Sequence, residues 1–273
     1  KYCAGYQYED STIVGFSHTH FSGTGHSDLG DFLVMPTVGK LQLNPGTETN
    51  PDSGYRSRFS HDEETAEAGY YAVNLKDYGI KAEMTATTRV GVHQYTFPKS
   101  DQAHIILDLK SGIYNYDEKN VWTIVRVEND STITGYRQTS GWARTRKVYF
   151  AMTFSKAFKS YGQEKQPGQV YRGFWGRFDQ EHNFPQMAGN DLRLYFDFDT
   201  EANEAIQVKM ALSPVSTEGA LKNMEAEVPG WDFNAVKQQA RDTWNKELQK
   251  VTVETLVLKK NSDGWKVIRV HWS

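Results

Sequence analysis

A single cysteine, Cys3, stands among 273 residues. That excludes an internal disulfide framework and a cysteine-built zinc cluster. No apolar run approaches the ~18–20 residues that a membrane-crossing helix needs, and the mean hydropathy is −0.66. Neither sign of charge dominates: 31 Lys and Arg against 34 Asp and Glu give a formal net charge of −3. A basic nucleic-acid binder is therefore not expected. There is no phosphate loop, no dinucleotide fingerprint and no Gly-x-Ser-x-Gly elbow, so serine-triad chemistry has no support. The opening residues show no charged segment followed by an apolar one. They begin without Met and run at once into structured-looking sequence, which reads as a fragment or a processed product.

What is present is alternation. Apolar residues make up 38% of the chain and aromatics 13%, enough for a sizeable core. At ~100–200 residues per domain, the length suits one large all-β domain or two small ones. Period-2 stripes mark buried strand faces: Val148, Phe150, Met152 and Phe154; Leu192, Leu194, Phe196 and Phe198; Ile206, Val208, Met210 and Leu212. Further strands are expected at 32–38, 70–75, 103–109 and 120–127. Ile80, Ala82, Met84, Ala86, Val90 and Val92 share one parity, which predicts a single long strand. Tyr95 and Phe97 break that parity, so a bulge near His93-Gln94 is expected. Eight or more strands without intervening helices argue for a broad antiparallel β-sandwich. Helices are expected only late. Ser216 caps the first, over 218–227, and Asp232 caps a second with Val236, Ala240, Trp244 and Leu248 on one face. The end, 251–273, reads as a β-hairpin. The resulting units are a sandwich over 1–215, a helical linker over 216–250 and the terminal hairpin.

The densest polar cluster lies at 16–31. It holds His18, His20, His26, Asp28 and Asp31 with Gly23, Gly25 and Gly30. Small residues let backbone approach a ligand, and His and Asp supply the directional donors and acceptors that hydroxyl-rich ligands need. The candidate substrate-binding residues are His18, His20, Ser22, Gly23, Thr24, Gly25 and Asp28. A metal reading competes, with His18, His20, His26 and Asp28 as a hydrolase's ligands. A third reading has the histidines bracing the loop backbone. Tyr6 and Tyr8, beside Glu9 and Asp10, suit sugar stacking on one strand face, or a plain sheet surface. Glu63-Glu64 and Asp197/Asp199 are carboxylate pairs of the kind glycoside hydrolysis uses, if their spacing allows. Glu83, Arg89 and His93 suit a charge network at a domain interface or a solvated face. Asn129-Asp130-Ser131 matches a glycosylation acceptor.

The runs Cys3-Ala4-Gly5-Tyr6-Gln7-Tyr8, Ser17-His18-Thr19-His20-Phe21-Ser22-Gly23-Thr24-Gly25, Thr87-Thr88-Arg89-Val90-Gly91-Val92-His93 and Ser140-Gly141-Trp142 closely resemble the N-terminal domain of the family 92 glycoside hydrolases. So do Val215-Ser216-Thr217-Glu218 and Trp231-Asp232-Phe233 in the linker. The resemblance runs over about residues 1–255. It implies a large antiparallel, supersandwich-like β-sandwich joined by helices to a C-terminal (α/α)6 barrel, with the sugar site between the two. It further implies an inverting, calcium-dependent exo-α-mannosidase, α-1,2-mannosidase-like, acting on mannose-rich glycans. Ca2+ and the catalytic acid and base are expected on the barrel, not on this chain, which alone is expected to be inactive. The resemblance also implies a bacterial protein that is exported, periplasmic or at the cell surface. Alternatives from other classes are a stand-alone carbohydrate-binding module and the His/Asp metal-dependent hydrolase.

Overall fold

A computed structural model describes residues 5–20, 28–113, 116, 118–164, 183–250, 253–261 and 264–272. In chain order the early strands are β1 (Thr12–Ile13), β2 (Phe16–His18), β3 (Asp31–Val38), β4 (Ser57–Arg58), β5 (Glu64–Glu67) and β6 (Tyr70–Leu75). Next come β7 (Ile80–Ala86), β8 (Val90–Phe97), β9 (Ser100–Asp108), β10 (Asn120–Asn129), β11 (Thr132–Thr139) and β12 (Arg146–Phe154). β13 (Ser160–Gln163), β14 (Gln186–Gly189), β15 (Arg193–Thr200) and β16 (Glu204–Ser213) follow. Helices α1 (Thr217–Glu227) and α2 (Phe233–Leu248) then precede the hairpin β17 (Val253–Asn261) and β18 (Gly264–Trp272).

Among the described residues two large sheets form. The nine-stranded sheet has the order β14-β10-β11-β12-β16-β8-β7-β6-β5, and the five-stranded sheet β13-β15-β9-β3-β2. Every pairing in them is antiparallel. The predicted stripes do what alternation requires. Phe150, Met152, Ile206, Val208 and Met210 from the larger sheet meet Ile105, Leu194, Phe196 and Phe198 from the smaller in one buried core. The fold is an all-β sandwich.

The expected long strand with a bulge is instead a hairpin. The chain reverses at Thr87-Thr88-Arg89, with the Thr87 N–H donating to Val90 O at 2.9 Å, and β7 and β8 pair without a register shift from Lys81↔Thr96 to Ala86↔Gly91. The parity change is real but has another cause: both faces of β8 are covered. Tyr95 and Phe97 enter the sandwich core. Val90 and Val92 point the other way, into a second core made with Ala220, Met224, Phe233 and Val236 of the helices. Ala151 and Ala211 sit in that core too, and side chains this small let α1 approach the sheet.

The two helices are capped as expected. Ser216 Oγ accepts from the Gly219 N–H at 3.0 Å, and Asp232 Oδ1 from the Ala235 N–H at 3.0 Å, each satisfying a donor that a helix start leaves open. The buried Lys209 Nζ donates to Val228 O at 3.0 Å and Gly230 O at 3.3 Å, just past the end of α1. A cation suits that end of the helix dipole. The expected apolar face of α2 holds only in its first half. Val236 and Ala240 are buried, whereas Trp244 is 51% and Leu248 57% exposed.

Candidate functional site

The site begins with the stem of the histidine loop. β2 ends at His18 and β3 starts at Asp31, and the two strands pair. Three stem residues take left-handed backbone: Thr19 at φ 62°, Gly30 at 81° and Phe32 at 55°. Glycine adopts this freely; a β-branched or bulky residue pays ~1–3 kcal/mol and persists only where its surroundings over-determine it. Asp31 is the device that does so. Fully buried, it accepts from Thr19 Oγ1 at 2.6 Å, Arg137 Nη1 at 3.2 Å and Arg146 Nη2 at 2.7 Å. Arg137 is itself 1% exposed and also donates twice to Asn120 Oδ1, at 2.9 and 2.7 Å. The Gly30 N–H closes the stem on Thr19 O at 2.9 Å.

Beside this stem a cavity of about 1030 Å3 opens at the rim of the sandwich. One wall is Ser17, His18, Thr19, His20 and His93; another is Gly5, Tyr6, Gln7 and Asp10. Trp244 of α2 lies along it, which accounts for the exposure of that ring.

The hydrogen bonds of the histidine wall have a forced direction. His18 Nδ1 lies 2.8 Å from Phe32 O, an obligate acceptor, so Nδ1 carries the hydrogen, and in the ring that burial keeps neutral Nε2 is a bare acceptor. His93 Nε2, 3.1 Å away, must then donate to it. That leaves His93 Nδ1 to accept from the Tyr95 hydroxyl at 2.6 Å. The proton order is Tyr95 to His93 to His18 to the Phe32 carbonyl, and both rings are neutral. Burial pulls the His18 pKa down to about 4, against the Phe32 bond that favours the charged form. Burial likewise pushes His93 well below 6.5, helped by the nearby His18. Gly91 leaves room for this arrangement: a Cβ there would stand 2.9 Å from both Cδ2 and Nε2 of His18.

His18 thus turns a neutral ring, with both nitrogens engaged, to the cavity. His20 is exposed on the same wall, its Nε2 2.7 Å from Ser17 Oγ. Asp28 is placed differently. It is 9% exposed, its two carboxylate oxygens take the Trp142 and Ala143 N–H groups at 3.0 and 2.9 Å, and it does not line the cavity. It fastens the loop base to the strand-linking segment 140–145. Ser22, Gly23, Thr24, Gly25 and His26 lie outside the described residues.

Other candidates disperse. Glu83 accepts from Tyr70 Oη at 2.6 Å, Arg89 pairs with Glu227, and His93 is 4% exposed, so the three form no common network. The carboxylate pairs are likewise split: Asp197 faces His104 at 2.6 Å while Asp199 holds Lys159. Tyr6 and Tyr8 lie before β1 in chain that forms no strand. Their rings meet a different cluster, with Tyr8 stacked on His61 and Tyr6 donating to Glu64 at 3.2 Å. The sequence does not mark Gly91, Tyr95 or Arg137 as site residues, because their parts depend on His18 and Asp31, distant in sequence.

Residues 1–213 match the glycosyl hydrolase family 92 N-terminal domain. The chain belongs to glycosyl hydrolase family 92. Residues 219–264 match that family's catalytic domain. A family GH92 alpha-mannosidase from Bacteroides thetaiotaomicron is 45% identical, with a TM-score of 0.83 over 93% of this chain and 33% of its own. An uncharacterized secreted glycosidase from Arthroderma benhamiae is 26% identical over 277 residues, 92% of this chain and 33% of the relative. A family GH92 inverting mannosidase from Bacteroides thetaiotaomicron, 23% identical with a TM-score of 0.71 over 95% of this chain and 35% of its own, shares the fold. This family 92 chain therefore spans about a third of the length of the relatives it matches.

Family 92 enzymes are calcium-dependent in general. Among the described residues, no three or more His, Cys, Asp or Glu gather where they would hold a cation. Calcium prefers six to eight oxygen ligands. His18 and Asp28 are instead engaged with Phe32 and His93, and with Trp142 and Ala143. The described residues fit neither a calcium site nor the His/Asp zinc reading. No helix among them is long and apolar enough to cross a membrane.

Proposed function

We propose that this chain is the sugar-pocket-shaping sandwich of an inverting exo-α-mannosidase, secreted to act on mannose-rich glycans. The observation that carries the reading is the rim cavity, walled by the family's Ser-His-Thr-His segment in a chain 45% identical to an alpha-mannosidase. The cavity's shape and lining suit a hexose tip: aromatic edges from Tyr6, Tyr71 and Trp244, and polar edges from Ser17 and His20. Hydroxyl-rich ligands need such groups fixed in advance, because each rotamer frozen on binding costs affinity. The stem built on Asp31 supplies that fixity.

In this reading the chain's residues bind and orient, and an (α/α)6 barrel in the intact protein closes the cavity from the other side. Inversion needs a carboxylic acid at the leaving oxygen and a carboxylate activating water on the opposite face. Both belong to the barrel, together with calcium, which would help distort the terminal mannose. His18 is neutral with both nitrogens committed, so it neither donates nor takes the proton. Its part is to hold the wall against which the sugar packs.

Hydrolysis of α-1,2-mannobiose tests the reading. The intact polypeptide should turn it over in the presence of calcium, and chain 1–273 alone should not. Turnover by the isolated chain contradicts this division of labour. Calorimetric titration of the isolated chain with mannose oligosaccharides separates the alternative: millimolar or tighter binding supports a self-sufficient binding module.

A further inference from the structure

Behind the second wall of the cavity, His61, Glu64 and Tyr8 form a cluster that the sugar reading leaves unused. His61 opens the short turn His61–Glu63 ahead of β5. Its Nδ1 lies 2.6 Å from Glu64 Oε2, and its Nε2 lies 2.7 Å from the main-chain carbonyl of Tyr8. Neither partner has a hydrogen to give while Glu64 is ionised. Each ring nitrogen must supply its own, and an imidazole with two N–H groups is an imidazolium. The rest of the cluster suits a cation. The Tyr8 ring lies flat on His61, centroids 4.1 Å apart and planes 7° apart, and Phe59 meets it edge-on at 5.1 Å. The flat Tyr8 face attracts a cation at such range.

Glu64 balances the charge and extends the grip. Desolvation raises its pKa, but the bonds from Tyr71, His61 and Tyr6 outweigh that and leave it below the ordinary value. The Tyr71 and Tyr6 hydroxyls donate to it at 2.6 and 3.2 Å. The segment 5–10 is thus tied to β5 and the turn before it at three points: the Tyr6 hydroxyl on Glu64, and the Tyr8 ring and Tyr8 carbonyl on His61. That segment supplies Gly5, Tyr6, Gln7 and Asp10 to the cavity.

We propose that His61 is a pH-operated latch: as an imidazolium it fastens the segment 5–10 as a wall of the cavity, and on losing its proton it releases that wall. The ionised Glu64 carboxylate, the stronger acceptor, keeps the remaining hydrogen on Nδ1. The bare Nε2 lone pair then faces the lone pairs of the Tyr8 carbonyl, and the stacked Tyr8 ring loses its cation. The departing proton goes to solvent, since the His61 side chain is 30% exposed. The charged groups facing His61 are Glu64 and, within its own turn, Asp62; both favour the cation. Burial raises the phenol pKa values of Tyr6 and Tyr71, so both stay neutral.

The direction follows from linkage. The hydrogen bond to Glu64 chiefly raises the His61 pKa above 6.5, with burial opposing. The latch is therefore fully present below about 6.5 and is lost as pH rises through the higher native value.

The test needs no ligand, so it stands or falls separately from the mannosidase reading. In the full chain, the His61 ring resonance is titrated by NMR from about pH 5.5 to about pH 9, alongside hydrogen exchange of amides 6–10, corrected for intrinsic rates. The expected result is a His61 midpoint above 6.5 and at least a roughly tenfold loss of protection across that same midpoint. His61→Gln, which keeps one donor and does not titrate, should abolish the step, and Glu64→Gln should move the wild-type midpoint down. A His61 midpoint at or below 6.5, protection that does not change with pH, or a step that survives in His61→Gln would each overturn the latch. The wild-type titration decides the question even if a variant fails to fold.

Discussion

The two walls of the cavity are built from the same residue types and hold opposite charge states. On one, His18, His93 and Tyr95 form a chain in which each ring donates from one nitrogen and accepts at the other, and burial keeps both rings neutral. Behind the other, His61 stands between two acceptors and beneath a tyrosine face, so it is charged. Burial and partner polarity, not the identity of the residue, set the proton count. The pH dependences are therefore mirror images. The histidine wall loses stability as pH falls from 6.5 toward the His18 value of about 4, because the unfolded chain takes up protons first. The tyrosine wall loses stability as pH rises above 6.5. Stability of the cavity should peak near pH 6.5 and decline on both sides. Urea denaturation across pH should show that peak; a monotonic curve would break the contrast.

The largest effect is expected where the histidine wall is anchored. Asp31→Ala leaves the buried Arg137 guanidinium short of its counter-charge and frees the strained Thr19 and Phe32. Removing one partner of a buried pair costs roughly 3–5 kcal/mol, read as a drop in urea unfolding free energy. Gly91→Ala comes next. Its Cβ would push His18 off His93, and overpacking of this kind costs about 1–3 kcal/mol. The His93 ring signals in NMR should shift as well. Tyr95→Phe is comparable or smaller: it strands the His93 Nδ1 acceptor in the interior, at about 1–2 kcal/mol. Trp244→Ala is the mildest. It should change stability by no more than ~0.5 kcal/mol, because the ring is half exposed, while weakening sugar binding in the intact enzyme.

Much of the sandwich was legible because alternation is a local signal. The stripes at Val148–Phe154 and Ile206–Leu212 need only their own side chains to declare a buried face. The β7–β8 reversal was hidden because Thr87-Thr88-Arg89 carries no Gly, Pro or Asn to announce a turn. The parity change at Tyr95 hints at it, but a bulge explains that change as well until α1 and α2 are seen to cover Val90 and Val92. The candidate site was half legible. Composition drew attention to His18 and His20, and both line the cavity. It could not distinguish them from Asp28, whose partners at Trp142 and Ala143 lie 114 and 115 residues away. His93 finds His18 across 75 residues, Arg137 finds Asp31 across 106, and His61 finds Tyr8 across 53. Interactions of that range leave no pattern in a single sequence.

In the proposed pocket the exposed His20 and its wall meet the terminal sugar. Replacing His20 by Ala in the intact polypeptide and measuring kcat/KM on an α-mannoside tests it most directly. The expected result is a fall of about tenfold or more, equivalent to ~1.4 kcal/mol of transition-state binding, with the melting temperature little changed. An unaltered kcat/KM in a folded His20→Ala enzyme would contradict it.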